Sequence, residues 1–179
     1  DAVGDGAVAI GSDATTGAQA LKNASVSIGG FDGTEAAPTV DAVGSTNIGS
    51  GNIISASGGV GSVVVGYSNG LIGSGALASV VIGHNNTLGE LKNVVIGAAN
   101  TAAGCPDTII IGRLANMTGA GARPISLGRS TIISAGTDNF AAGRAATISG
   151  SGTFAQAIGT FSAVSGVRGN AIGSGASAG

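Results

Sequence analysis

The chain has 179 residues, of which 35 are glycine, while aromatic residues make up 3% and charged residues 9%. So much glycine without a strict three-residue period excludes collagen, and only three prolines argue against a proline-rich disordered chain. The net charge of −2 is uneven, since residues 112–179 carry five arginines against one aspartate. Five arginines are too few for a nucleic-acid interface, and no apolar run reaches the roughly 18 residues of a membrane span. We therefore expect neither a nucleic-acid partner nor membrane insertion by this segment.

A short motif, apolar–small–apolar–glycine, returns along the whole chain at intervals of 14 to 20 residues. A short repeating period is typical of a solenoid, in which each repeat packs only on its neighbours. The closing glycine is position 0 of each repeat. These glycines are Gly11, Gly29, Gly49, Gly66, Gly83, Gly97, Gly112, Gly128, Gly143, Gly159 and Gly173.

Each repeat is predicted to contain two short strands. Branched apolar residues alternate at positions −3 and −1, and this period of two places both on one face of a strand. Position +5 is apolar in most repeats and marks the second strand, while glycine at position 0 suits a tight corner. We therefore predict an all-β parallel β-roll, or β-solenoid, of about eleven coils of 14–20 residues, forming a single domain over residues 1–179.

Position −1 is predicted to form the core, because so narrow a coil encloses only one thin apolar layer. In the middle coils position −2 is also apolar, as at Val64 and Val81, and faces the other way. A strand that is apolar on both faces is buried on both. Only another chain can cover the second face of a thin solenoid, so we expect a homotrimer around a common axis. The predicted core residues are Ile10, Ile28, Ile48, Val65, Ile82, Ile96, Ile111, Leu127, Ile158 and Ile172.

Several repeats resemble those of a known family. Residues 6–11 (GAVAIG), 24–29 (ASVSIG), 93–97 (NVVIG) and 170–179 (NAIGSGASAG) are similar to the head repeats of trimeric autotransporter adhesins of the YadA-like type. The resemblance covers nearly the whole chain, although the repeats are longer and less regular than the family's and neither stalk heptads nor barrel strands are found. It implies a left-handed parallel β-roll, three chains to a rod, displayed extracellularly for adhesion. Similar rolls occur in phage tail fibres and virion spikes, so the surface is that of a bacterial cell or a virion.

An asparagine recurs at position +3 in four successive coils. Stacked asparagines can bond amide to amide along the axis and stabilise parallel stacking. Alternatively, asparagine simply tolerates a turn with positive φ. In either case the predicted role is structural, and the residues are Asn52, Asn69, Asn86 and Asn100.

Position +1 predicts a stripe along successive coils, made of Tyr67, His84, Arg113, Arg129 and Arg144. Stacked like charges are destabilising unless something neutralises them. The hypothesis is that acidic groups of a neighbouring chain, or an anionic glycan, meet this stripe. The alternative is a solvated face whose arginines point apart.

Residues 30–47 interrupt the pattern and are predicted to be an irregular insertion or an end cap. Insertions into solenoid coils emerge as loops, often on the binding side. A cap would instead cover the open strand edge of the first coils. The candidate loop residues are Phe31, Asp32 and Glu35.

The sequence offers little catalytic chemistry. His84 is the only histidine and has no cysteine or carboxylate at ligand spacing nearby, so we expect no catalytic residue, metal or cofactor. No phosphate-binding loop is present either. Cys105 stands alone and allows no intrachain disulfide.

The predicted function is therefore not enzymatic. The first hypothesis is a trimeric adhesive fibre domain that projects from a cell or virion surface and attaches to a host receptor or glycan. The second is a purely structural segment of a phage tail fibre, capsid spike or extracellular filament. A third is ice binding through the threonines at position +4, which are Thr87, Thr101 and Thr147.

Overall fold

A computed structural model describes residues 1–11, 17–30, 38–55, 60–71, 78–90, 92–119, 121–134, 136–150 and 153–179. Every regular element in these ranges is a β-strand, and none is a helix. A strand of three to five residues alternates with one of two or three residues, and each such pair makes one coil. We call the odd-numbered strands the front sheet and the even-numbered strands the back sheet. The predicted all-β parallel solenoid with two strands per coil is confirmed.

The first compact unit, Asp1–Asn93, contains five coils. Its front strands, in spatial order, are β1 (Val8–Ile10), β3 (Val26–Ile28), β5 (Thr46–Ser50), β7 (Val63–Tyr67) and β9 (Val80–His84). Its back strands are β2 (Gln19–Ala20), β4 (Thr39–Val40), β6 (Ile53–Ile54), β8 (Gly70–Leu71) and β10 (Thr87–Leu88).

The second compact unit, Val94–Gly179, contains six coils. Its front strands are β11 (Val94–Ala98), β13 (Ile109–Arg113), β15 (Ile125–Arg129), β17 (Phe140–Arg144), β19 (Gln156–Ile158) and β21 (Asn170–Ile172). Its back strands are β12 (Thr101–Ala103), β14 (Asn116–Thr118), β16 (Ile132–Ile133), β18 (Thr147–Ile148), β20 (Ala163–Val164) and β22 (Ser177–Ala178).

The coils stack in the register of the sequence motif. Within each unit successive front strands pair in parallel, so that Gly49 lies beside Gly66 and Gly112 beside Gly128. Each residue position therefore forms a column that runs from coil to coil. A column of equivalent positions is the unit from which any surface of this molecule is built.

The interior of the coil is formed by position −2 together with position +5 of the back strands. Val64 and Val81 are fully buried at position −2, as are Leu71 and Leu88 at position +5. The assignment of position +5 to a buried second strand is thus correct. Elsewhere position −2 holds smaller residues, among them Ser27, Asn47, Ser126, Ala141, Ala157 and Ala171, all of which are buried.

The prediction that position −1 forms the interior is wrong for the single chain. Its side chains lie on the outer face of the front sheet, where each is exposed or half-exposed; they are Ile10, Ile28, Ile48, Val65, Ile82, Ile96, Ile111, Leu127, Ile158 and Ile172. In the middle coils both −1 and −2 are apolar, so alternation alone does not say which faces inward. The interior holds the position that shrinks to serine or alanine in other coils, because a narrow coil has little room.

The closing glycine is required by the close approach of neighbouring coils. A Cβ atom on Gly66 would lie 1.7 Å from the carbonyl oxygen of Gly83, and φ at Gly66 is +129°. No side chain fits there, so the repeated glycine of the motif is explained by sterics.

Within the described residues the coils also turn at two corners, positions −5 and +2, that the sequence did not reveal. Non-glycine residues at these corners have φ between 51° and 59°, in the left-handed region that L-residues rarely adopt. Backbone hydrogen bonds to the preceding coil hold them, as where Arg123 N–H donates to the Pro106 carbonyl at 3.0 Å. The corners are set by stacking of the backbone, which is why their residue types vary.

The predicted insertion at residues 30–47 is only partly within the described residues. Residues 31–37, including Phe31, Asp32 and Glu35, lie outside them. Residues 38–47 are not irregular, since they contain β4 and the start of β5. In the first two repeats the second strand is β2 or β4, later in the chain than position +5.

Candidate interaction face

The outer face of the front sheet presents three columns, at positions −3, −1 and +1, because side chains two apart share one face of a strand. Columns −3 and −1 are largely apolar. In the first unit Val63 and Ile82 are exposed, and in the second unit Ile109 and Ile111 are exposed. We call this surface the front face.

Column −1 of the front face is apolar in every coil of each unit, whereas column −3 is interrupted by Thr46 in the first unit and by Gln156 and Asn170 in the second. Ile96 pairs with Ile111, and Ile111 with Leu127, so that these side chains follow one another from coil to coil. Ile111 is 46% exposed. Single exposed apolar side chains are normal, whereas a continuous apolar surface marks an interaction site.

The +1 column at the edge of the front face has a different character in each unit. In the first unit the rings of Tyr67 and His84 stack with centroids 4.8 Å apart and planes 2° apart. In the second unit Arg113, Arg129 and Arg144 lie side by side in register, and all three are exposed. The predicted stripe therefore consists of an aromatic group in the first unit and a cationic group in the second.

The three arginines have little within their own unit to balance their charge. The ion pairs that join described residues are Lys22–Asp41 and Arg123–Asp138, and neither includes the +1 column. Arg144 lies over the ring of Phe161, 5.2 Å from its centroid. That contact is favourable but leaves the positive charge in place. A column of three cations next to an apolar face therefore calls for an anionic partner.

A second charged column, which sequence reasoning missed, lies at the −5 corner. This corner precedes the N-terminal ends of the front strands, whereas the +1 column lies at their C-terminal ends. In the second unit the −5 column reads Asp107, Arg123, Asp138, Phe154 and Arg168. The side chains of Arg123 and Asp138 form a bidentate pair, with Nε 2.6 Å from Oδ1 and a terminal nitrogen 2.8 Å from Oδ2. This hydrogen bonding lowers the pKa of Asp138 and raises that of Arg123. Counting residues back from each closing glycine would have revealed the column.

The asparagines at position +3 are buried inside the coils and form hydrogen-bonded ladders. Asn69 Nδ2 donates to Asn52 Oδ1 at 2.9 Å, and Asn86 Nδ2 donates to Asn69 Oδ1 at the same distance. Asn69 Nδ2 also donates to the carbonyl of Gly83 at 2.8 Å. These side chains are wholly engaged within the coil, so their role is to join coils and not to bind ligands.

In the second unit the Asn100 side chain bonds to backbone groups of the next coil, where position +3 is Ala115. Its Nδ2 donates to the Gly112 carbonyl at 3.0 Å, and its Oδ1 accepts the Ala115 N–H at 2.9 Å. The residue with positive φ is the preceding one, Ala99. The alternative explanation, in which asparagine occurs because it tolerates a left-handed turn, therefore does not apply at Asn100.

A second buried ladder runs through position −4 and was also missed. The hydroxyl oxygen of Ser45 accepts the N–H of Ser62, that of Ser62 accepts the N–H of Ser79, and that of Ser79 accepts the N–H of Asn93, each at 3.1 Å. Recurrence of serine four residues before the closing glycine is the signal that identifies it.

The described residues contain no group of three or more histidine, cysteine, aspartate or glutamate side chains able to hold a metal ion. They also contain no helix long and apolar enough to cross a membrane. No protein-family model matches the chain, and a search of curated proteins finds no match.

Proposed function

We propose that this chain is a segment of a homotrimeric fibre in which three front faces pack around a common axis. The observation that carries the proposal is the apolar surface of columns −3 and −1, which is continuous along column −1 within each unit. Burying an isoleucine or leucine side chain completely contributes about 1.5–3 kcal/mol, so a column of half-exposed ones contributes of order 1 kcal/mol each. Summed over the apolar residues of both columns in three chains, these contributions exceed the roughly 4–15 kcal/mol that each association step costs, so the face is suited to a permanent assembly.

The threefold arrangement is supported by the resemblance of the repeats to YadA-like heads. The parallel coils, the closing glycine and the branched residues at −3 and −1 agree with that type of repeat. On this basis the fibre is extracellular and belongs to a bacterial cell surface or a virion, and it mediates attachment to a host surface or glycan. It works without a cofactor and without catalysis.

The alternative is a purely structural segment of a tail fibre, capsid spike or extracellular filament. It is favoured by the filled interior, where the buried amides and hydroxyls of the ladders bond to one another and to neighbouring backbone groups. Binding of the purified assembly to host cells or glycans supports the adhesive function. Absence of such binding by an intact trimer supports the structural one.

The trimer is tested by analytical ultracentrifugation of the wild-type chain and of two lysine variants. Ile111→Lys places a charge on the front face, and we expect dissociation to folded monomers. Ile132→Lys is the matched control, because Ile132 lies on the outer face of the back sheet and is 41% exposed, close to the value for Ile111. A monomeric wild type, or equal effects of the two substitutions, contradicts the proposal.

A further inference from the structure

We infer that two arginines of the +1 column are neutralised by the −5 corner of an adjacent copy, with Arg113 meeting Asp107 and Arg144 meeting Asp138 of that copy. This inference rests on the proposed trimer and specifies how its three chains are joined. It assigns the cationic column to an interface between copies of this chain.

The arginines lie on the face of the front sheet that carries the apolar columns. Arg113 shares β13 with Ile109 and Ile111, and all three side chains are on the front face. An assembly that buries the two isoleucines also brings Arg113 to the edge of the buried surface. The +1 column thus lies next to the neighbouring chain.

The neighbouring chain brings its −5 corner to the +1 column. Positions −5 and +1 are six residues apart and lie at opposite edges of the front sheet, about 20 Å from one another at roughly 3.3 Å per residue. In a cyclic trimer the contact is head to tail, so the +1 edge of each copy meets the −5 edge of the next. Cyclic symmetry also keeps equivalent coils of all copies at the same height.

The charges at positions −5 and +1 are opposite in two coils of the second unit. In the coil of β13 the −5 and +1 residues are Asp107 and Arg113, and in the coil of β17 they are Asp138 and Arg144. Two coils of the second unit therefore bring opposite charges together when copies meet in register. Displacement of one copy by a single coil would place Arg113 against Arg123.

The coil of β15, which lies between them, is the exception, since it has Arg123 at −5 and Arg129 at +1. Arg123 is already paired with Asp138 of its own chain. The equivalent coil of the adjacent copy therefore offers Arg129 no acidic partner. The arginines are thus predicted to be unequal, and this inequality distinguishes an interchain contact from a uniform anion-binding stripe.

The charge test compares Arg113→Asp with Arg129→Asp, which make the same change one coil apart. We expect Arg113→Asp to raise the trimer dissociation constant by about tenfold or more and Arg129→Asp to leave it unchanged or lower it. Adding Asp107→Arg to Arg113→Asp should restore part of the loss in a double-mutant cycle. Arginine is tolerated at that corner, because Arg123 and Arg168 occupy it with φ of 58° and 59°. Equal weakening by the two single substitutions, with no coupling in the cycle, overturns the inference.

The proximity test uses cysteines in a Cys105→Ala background. Asp107→Cys with Arg113→Cys should give covalent trimers with a short bismaleimide, because the two thiols of one chain are too far apart for it to bridge. Asp107→Cys with Asn116→Cys is the control, since Asn116 is exposed on the back sheet. If the double-cysteine variant sediments as a trimer but yields no covalent trimer, the pairing of Arg113 with Asp107 of an adjacent copy is overturned. The proposed trimeric fibre is not contradicted by that result.

Binding of a sulfated glycan such as heparin tests whether the arginines meet an external anion instead of the acidic residues of an adjacent copy. The inference expects no loss of heparin retention by the intact trimer when Arg113 is changed to glutamine, because Arg113 is paired with Asp107 of the adjacent copy and is not available to the glycan. Retention that depends on all three arginines shows that the column is open to solvent in the assembly and overturns the inference. A monomeric wild type would instead contradict the trimer itself.

Discussion

The two units build the same coil but join successive coils through different side chains. In the first unit, buried amides at Asn52, Asn69 and Asn86 bond from coil to coil, and the −5 corner of the same unit holds mainly alanine and glycine. In the second unit position +3 changes after Asn100 to alanine, threonine or serine, and the corner becomes charged, with the Arg123–Asp138 pair.

The difference shows that the side-chain contacts that join successive coils can lie either inside the coil or on its surface. The interior ladder is shielded from water, where a hydrogen bond is strong and an unpaired group is costly. The corner pair is exposed to solvent, where ions are screened and contribute little. What the units share is the closing glycine, which lets the backbones approach. The loss of stability on substitution should therefore be largest at the shared glycine, smaller in the asparagine ladder and smallest at the charged corner.

The largest effect is expected at the closing glycine, equally in both units. Gly66→Ala and Gly112→Ala place a Cβ atom 1.7 Å and 1.8 Å from a glycine carbonyl oxygen of the next coil. Because the obstacle is backbone, neither clash can be relieved by a side-chain rotation. We expect a loss of at least about 4 kcal/mol in the free energy of unfolding, or failure to fold, measured by denaturant titration followed by circular dichroism.

The control for this change is Gly61→Ala at a corner. Gly61 also has a positive φ, +70°, but its added Cβ atom would meet nothing within 4 Å. We expect a cost of only about 1 kcal/mol, since alanine already occupies the same corner at Ala24 and Ala78. If Gly61→Ala were as damaging as Gly66→Ala, backbone approach would not explain the motif.

An intermediate effect is expected in the ladder. Asn69→Ala removes the bonds to Asn52 and Gly83 and takes away the acceptor of two donors on Asn86. Leaving buried donors unsatisfied should cost about 2–4 kcal/mol. Ser162→Ala is the matched change in the second unit, where the buried hydroxyl makes one bond, to the Gly159 carbonyl, and should cost about 1 kcal/mol. Thermal unfolding of both variants measures the two losses of stability. Equal losses for Asn69→Ala and Ser162→Ala would mean that the asparagine ladder adds nothing to the stability of the stacked coils.

The repeat and its strands were predictable from sequence because both are periodic. The recurring glycine and the apolar position +5 define one strand pair per coil, and from the third repeat onward the structure has both strands where expected. The inner and outer faces of the front strand were not predictable in the same way. Val81 and Ile82 are adjacent and both apolar, and only the size of their equivalents in other coils shows which one fits inside.

The corners escaped prediction for a different reason. A left-handed φ is normally recognised from glycine or asparagine, yet here it is held at residues such as Arg123 and Phe154 by hydrogen bonds to the previous coil. Stacking overrides the local preference of the residue, so local sequence carries no signal. The charges at −5 can be read by counting back from each closing glycine, but their location at a corner could not be predicted.

The smallest effect is expected at the corner pair and depends on pH. Arg123 holds the pKa of Asp138 below its ordinary value of 3.8. A depressed carboxyl pKa adds stability above the unfolded-state pKa, and that stability is lost as the pH falls through the folded-state pKa. Asp138→Asn should therefore lower the melting temperature slightly at pH 7. The difference from wild type should shrink below about pH 4 and vanish once the pH lies below the folded-state pKa of Asp138.

Partner substitutions in the same pH series show which cations act on Asp138. If its own Arg123 acts alone, Arg123→Gln removes as much of the pH dependence as Asp138→Asn does. If Arg144 of an adjacent copy contributes as well, Arg123→Gln keeps part of the dependence and Arg123→Gln with Arg144→Gln removes it all. A difference between wild type and Asp138→Asn that stays constant from pH 7 to pH 2 would show that the pair is not an ionic contact, and the charged corner would then lose its place in the stacking of the second unit.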